Sequence, residues 1–405
     1  MSPSRIPALL FLSCAVFLSG CHSDDDEPTG PQNILTVEVD ALYGIAGDTW
    51  IFATDENGEL LDAKPYAAGQ TVSLSTSKRS DKINVTFFRY NKGDFGTDIS
   101  FNTWVGVATG TTLHFVAPAV PSGDPNPQSV DATIKVSNYA SNTAMLGISY
   151  GEGYALSGSL LSGNLEIDLS FYDAPADILL YGWRSDVPVY NWAMATKAND
   201  VVQRDFNTDF TPYPHQVKLN FEGKNLATVS GYDAKKSRMI SLMDTYWLSP
   251  SDHPTIGYLD GYDFYQLWVM NSKPNGSTNY YQKGAIDFSF EIPTYTFSLT
   301  NSDMQNFSFN FSHAYTYRSI NWQYTNGTEY TWWTVNAASG QSVKGLSIPP
   351  EIAAKYPQLD MNKFTYSYIS FNENLKGPSY LDFMPGVADP GARIASEGYV
   401  YSPSH

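Results

Sequence analysis

Asp244, Asp252, His253, Asp260 and Asp263 fall within one aromatic-rich stretch, MDTYWLSPSDHPTIGYLDGYDFYQLW, and their types could do acid–base chemistry. Two carboxylates at a suitable separation can hydrolyse a glycoside, one as acid and the other as base or nucleophile. Asp252 stands before His253-Pro254, however, and Asp260 before Gly261. Short acidic side chains in such places commonly bond their own backbone in a turn. Turns are therefore the expectation and hydrolysis the lesser alternative. The same acids could hold Ca²⁺, but the chain has no Asp-x-Asp-x-Asp-Gly loop.

Other chemistries lack their residues. The histidines His22, His114, His215, His253, His313 and His405 are scattered, with no His-x-x-x-His pair to hold zinc. No Gly-x-Ser-x-Gly, phosphate-binding loop or dinucleotide fingerprint occurs. The expectation is a non-enzymatic protein with no metal and no cofactor.

A second constellation can bind rather than react. The segment 306–335, NFSFNFSHAYTYRSINWQYTNGTEYTWWTV, is dense in aromatic rings, poor in charge and divided by Asn326-Gly327. Taking that dipeptide as a two-residue hairpin turn pairs Gln323 with Tyr330, Trp322 with Thr331, Asn321 with Trp332 and Ile320 with Trp333. One face then shows Ile320, Trp322, Tyr324, Trp333 and Val335, a core face. The other shows Asn321, Gln323, Tyr330 and Trp332, flat rings beside amides. A pyranose stacks its C–H face on such rings while its hydroxyls bond to amides, and neither needs a charge. Packing against a loop or a neighbouring domain is the competing expectation for this face.

The elements that must carry these residues are strands. Val37/Val39, Val72/Leu74, Val85/Phe87, Ile167/Leu169 and Phe307/Phe309/Phe311 alternate with polar residues. Asn57-Gly58, Lys92-Gly93, Asn275-Gly276 and Asn326-Gly327 punctuate them as turns. The fold class expected is all-β, tandem antiparallel β-sandwich domains with very little helix. The one persuasive helix is Pro350 to Lys355, with proline in its first turn and Glu351 behind it.

Sliding the chain against itself by about 95 residues reveals a duplication. Gly58 falls on Gly153, Val72 on Ile167, Leu74 on Leu169, Ile83 on Ile178, Phe88 on Trp183 and Arg89 on Arg184. With small length changes, residues 36–39 fall on 133–136 and Trp104 on Trp192. This organises the chain into a leader (1–20), an acidic tether (21–33), sandwich repeats at 34–120 and 131–215 joined by a linker at 121–130, and a larger C-terminal β-domain at 218–405. If the domains stack in order, the C-terminal one is farthest from the tether. The equivalent arginines, Arg89 and Arg184, read as turn caps or ion-pair partners.

Three short segments resemble known families. Trp50 to Leu61, a strand, a glycine turn and a second strand, resembles the opening hairpin of carboxypeptidase-regulatory-like (transthyretin-like) sandwiches, which implies a spacer role for the repeats. Arg5 and the apolar run Ile6–Leu18 read as a cleaved export leader, too short to span a bilayer. Its close, Leu18-Ser19-Gly20-Cys21, resembles the bacterial lipobox, which implies lipidation of Cys21 and membrane anchoring through several acyl chains. The following His22-Ser23-Asp24-Asp25-Asp26-Glu27 is similar to the export signal of Bacteroidota lipoproteins, which implies the outer leaflet of the outer membrane and surface exposure. With Cys14 lost in the leader and Cys21 acylated, no thiol remains for a disulfide or a nucleophile.

Formal charge is −17, from 41 acidic and 24 basic residues, and no basic cluster interrupts it. Such a surface repels phosphate backbones, which argues against nucleic acid as a partner. The partners expected are the outer membrane, through the lipid anchor, and a glycan or surface-protein ligand. The leading function is glycan or surface-component binding by the distal C-terminal domain. An adhesive or pilus-like structural subunit is the alternative, and a glycoside hydrolase comes third.

Overall fold

The computed structural model describes residues 30–117, 130–139, 146–149, 154–157, 163–171, 175–196, 199–236, 238–245, 251–342, 344–377, 379–387 and 397–404. The expected leader, Cys21, the acids of 24–27 and the proline-rich linker lie outside these residues. Strand is the dominant element, helix is scarce, and the sheets are predominantly antiparallel.

The first repeat comprises β1 (Gln32–Val39), β2 (Asp48–Thr54), β3 (Leu60–Pro65), β4 (Thr71–Thr76), β5 (Lys82–Gly93), β6 (Gly96–Ala108) and β7 (Thr111–Phe115). Two-residue alternation sorts each strand: Val37 and Val39 are buried while Glu38 between them is exposed. Strands in the order β4-β1-β7 face strands in the order β3-β2-β5-β6, with Leu35, Leu74, Val85, Trp104 and Leu113 enclosed between them.

The second repeat comprises β8 (Val130–Tyr139), β9 (Leu146–Ser149), β10 (Tyr154–Ser157), β11 (Gly163–Phe171), β12 (Ala176–Arg184), β13 (Val187–Ala195) and β14 (Asp200–Asp205). Its orders, β11-β8-β14 and β10-β9-β12-β13, reproduce those of the first, including the parallel pairing of first and last strands. The register also corresponds. Val37 opposes Val72 and Leu35 opposes Leu74 in one copy; Ile134 opposes Ile167 and Ala132 opposes Leu169 in the other. Leu74 and Leu169 are both buried.

One match between the copies is corrected. Trp104 opposes Val85 and is buried in the first sandwich, whereas Trp192 opposes Leu179 and lies on the outer face of the second. The first copy has a bulge in the β5–β6 ladder between Ile83 and Val85, with Gly106 at φ 76°, and β13 pairs without one. One extra residue in a strand moves the following side chains to the other face.

The rest of the chain adds β15 (Thr211–Pro212), β16 (His215–Lys218), β17 (Lys224–Asp233), β18 (Arg238–Asp244), β19 (Thr255–Tyr258), β20 (Phe264–Lys273) and β21 (Gly276–Gly284). After these come β22 (Phe297–Asn301), β23 (Ser308–Phe311), β24 (Tyr317–Asn326), β25 (Glu329–Ala338), the expected helix α1 (Pro350–Lys355), β26 (Thr365–Lys376) and β27 (Glu397–Pro403). Twelve strands form one sheet in the order β18-β17-β20-β21-β27-β26-β24-β25-β6-β5-β2-β3.

The C-terminal strands therefore do not stack beyond the second repeat. They continue the first repeat's sheet sideways, because β25 lies parallel to β6 with Trp333 opposite Phe101. Those two rings stack with centroids 4.3 Å apart, and Phe52, Phe88, Trp322, Ile369 and Phe371 fill the same core. The second repeat instead packs the outer face of its β12, through Leu179, Tyr181 and Trp183, on a core built from β17, β18 and β20.

Candidate functional site

The β24–β25 hairpin turns at Gly327-Thr328, not at Asn326-Gly327, and the expected register is corrected by two residues. Asn326 pairs with Glu329, Thr325 with Tyr330, Gln323 with Trp332, Trp322 with Trp333 and Ile320 with Val335. Gly327 has φ 65° at the first central position, where a II′ turn accepts glycine. A two-residue shift preserves parity, so both faces keep their members. Ile320, Trp322, Trp333 and Val335 are all buried, as the core face requires.

The opposite face is divided by a polar ladder. Asn321 donates to the Thr334 hydroxyl at 3.0 Å, Ser319 to the side-chain oxygen of Asn336 at 2.7 Å, and the Asn336 side-chain amide to the side-chain oxygen of Asn102 at 2.7 Å. On one side of the ladder the sheet is covered, with Tyr380 stacked on Trp104 at 5.4 Å. On the other side it is open, towards the tips of the β5–β6 and β24–β25 hairpins.

The four sequence-derived ligand residues separate here. Tyr330 is 52% exposed and Gln323 is exposed; Trp332 is half-buried, bracketed by Gln323 on β24 and Ser100 on β6. Asn321 is corrected: it is buried, and its amide is committed to Thr334. Gln323 faces Trp332 directly, at about 5 Å between β-carbons, and Tyr330 precedes Trp332 by about 7 Å along the strand.

Two residues that the sequence did not point to join them. Tyr368, 44% exposed, stands opposite Asn321 on β26. Strict alternation would put Tyr366 and Tyr368 on one face, but a bulge between them turns Tyr366 into the core beside Phe307 and leaves Tyr368 outside. Phe95 sits at the β5–β6 tip and is fully exposed. That loop is Asp94-Phe95, two residues beyond the expected Lys92-Gly93 turn, because Gly93 pairs with Gly96. The tip is fastened to its neighbour by Thr97 N–H donating to the Thr328 carbonyl at 3.0 Å.

This open end lies far from where the chain enters. The Ile34 carbonyl accepts from Gly110 N–H at 2.8 Å and Gln32 reaches Lys78, beside the Lys82–Ala108 rung of β5–β6. The Gly93–Gly96 rung stands at the other end, roughly 36 Å away at about 3.3 Å per residue.

The acidic stretch does not gather into one cleft. Asp244 pairs with Thr228 on β17, whereas Asp263 N–H bonds Tyr232, about four residues or roughly 14 Å further along that strand. The expected turn capping is corrected in detail. Asp260 bonds His215 Nε2 at 2.6 Å, and Ser251 Oγ, not Asp252, accepts from His253 N–H at 3.1 Å. Asp263 does hold a turn, accepting from Ala234 N–H at 2.7 Å. Of the paired arginines, Arg184 caps a turn as expected, donating to the carbonyls of Phe206 and Phe210.

Among the described residues no group of histidine, cysteine and acidic side chains could hold a metal ion. No helix among them is long and apolar enough to cross a membrane. No protein-family model matches the chain, and no curated protein is significantly similar to it.

Proposed function

We propose that this chain is a surface lipoprotein, anchored to the outer membrane through Cys21, that binds a neutral glycan without catalysis. The observation that carries the reading is the open sheet end on which Tyr330, Trp332 and Tyr368 share one face with exposed Gln323. Rings of this kind take the C–H face of a sugar, and the amide supplies orientation. Tyr368 stands two strands and two residues from Trp332, about 12 Å away, so the face suits several sugar units.

Placement supports the same reading. The tether leaves from the end of β1 that lies remote from this face, so an anchor there would turn the aromatic surface away from the membrane. The fully exposed Phe95 at the tip favours a second reading, adhesive contact with a protein on a neighbouring surface.

A glycan array probed with the soluble 22–405 fragment tests the first reading. Binding to neutral glycans that is weakened by Trp332→Ala, by about 1–3 kcal/mol on the analogy of ring-on-base stacking, is the expected result. Absence of any glycan binding, with Phe95→Ser abolishing adhesion to whole cells, would replace it by the second.

A further inference from the structure

We propose a second ligand site, independent of the sheet face: an open groove of about 370 Å³ at the seam between the second repeat and the β17–β18 turn, which takes a carboxylate-bearing sugar ring, a uronic-acid residue of an acidic glycan. The groove is lined by Asp177, Trp192, Ala193, Met194, Arg204 and Lys236. Its volume falls within the range of small-ligand sites, and seams between packed units are where such sites commonly lie.

The floor is apolar. Trp192 is 38% and Met194 50% exposed, two residues apart on β13 and opposite Leu179 and Asp177. This is the same sheet face that buries Leu179, Tyr181 and Trp183, and Leu179 is covered while its cross-strand partner Trp192 is not, so the covered interface ends where the groove begins. An indole left bare at that border offers a flat surface for the C–H face of a ring.

The wall carries a net positive charge, Arg204 and Lys236 against Asp177, opposite in sign to the molecule as a whole. Arg204 Nε donates to the Asn191 side-chain oxygen at 2.8 Å and Nη1 to the Gln203 carbonyl at 2.7 Å. These bonds fix the guanidinium and leave Nη2 as a donor. Lys236 pairs with Asp177, which Arg238 also approaches at 3.5 Å. An ammonium has three N–H donors, so the Asp177 contact does not exhaust Lys236. Two pre-positioned cations beside a bare indole match a ring that is apolar on one face and carries a carboxylate at its edge. A neutral sugar would leave the remaining N–H donors of Arg204 and Lys236 without an anionic acceptor.

Titration calorimetry on the soluble 22–405 fragment, which retains every described residue, tests the assignment with three probes: trigalacturonate, its uncharged counterpart galactotriose, and acetate. Trigalacturonate should bind and the other two should bind at least about tenfold more weakly. Binding should fall as salt is raised. Arg204→Gln and Trp192→Ala should each reduce trigalacturonate affinity about tenfold or more with the thermal midpoint unchanged, and Arg204→Lys should retain part of it. Trp332→Ala, on the other site, should leave it unaltered. Equal binding of galactotriose, no binding of trigalacturonate at millimolar concentration, or full affinity in the Trp192→Ala protein would overturn the proposal. Full affinity of acetate would reassign the groove to simple carboxylates.

Discussion

Trp333 donates its indole N–H to the Thr103 hydroxyl at 2.8 Å, across the parallel seam where the last third of the chain joins the first repeat. The same ring stacks on Phe101, and both Trp333 and Thr103 are buried. One side chain thus supplies both the packing and the polar partner of the joint. Trp333→Ala should cost about 3–5 kcal/mol of folding free energy, while Trp332→Ala, one residue away on the half-open face, should cost about 1 kcal/mol or less. Urea unfolding of the two variants side by side decides this; equal losses would mean that the faces are not distinct.

Stability should decline in acid through two aspartates. Asp48 is held below the usual carboxylate range by hydrogen bonds from Lys355 and Tyr356, which fasten the C-terminal helix α1 to β2. At Asp55 burial pushes the other way, but bonds from Lys78, Glu59 N–H and Asn57 N–H outweigh it and its carboxyl is also lowered. A lowered folded value contributes stability that is present above the unfolded value near 4 and is lost as pH falls through the folded one. Unfolding midpoints measured from pH 6 to pH 2 should drop below about pH 4, and Asp48→Asn with Asp55→Asn should flatten that drop. An unchanged slope in the double variant would assign the acid sensitivity elsewhere.

Gly58 and Gly345 lock together where the first repeat's opening hairpin meets the C-terminal segment. Gly58 has φ 86° and Gly345 φ 62°, and a β-carbon on either would stand 2.3 Å from a backbone carbonyl oxygen of the other strand of chain. Gly58→Ala should therefore lower stability by about 1–3 kcal/mol, through both left-handed strain and the clash. Differential scanning calorimetry would register this as a fall in the melting temperature; an unshifted melt would show that the contact is dispensable.

For the proposed anchor, Cys21→Ala should release the protein from membranes, since acylation needs the thiol. Neutral replacements of Asp24 to Glu27 should leave it membrane-bound but protected from protease added to intact cells. Detergent phase partitioning and surface proteolysis read the two effects separately, and undiminished cleavage of the second variant would remove the basis for the export signal.

What the residues determined alone is what depends on neighbours in sequence. Alternation placed Ile320, Trp322, Trp333 and Val335 on one face and Gln323, Tyr330 and Trp332 on the other, and this survived a two-residue error in register because side chains repeat every two residues. The duplication was legible for the same reason: equal spacing of apolar positions implies equal strands, and the two strand orders agree. What only the tertiary structure decided is which faces are covered. The bulges that turn Tyr368 outward and place Trp104 and Trp192 on opposite faces depend on ladder pairing. The parallel joint of β25 with β6 brings together residues more than two hundred positions apart. No local pattern records such a pairing, because any apolar strand face can be buried by any other. Whether a ring becomes core or surface is settled by which one arrives.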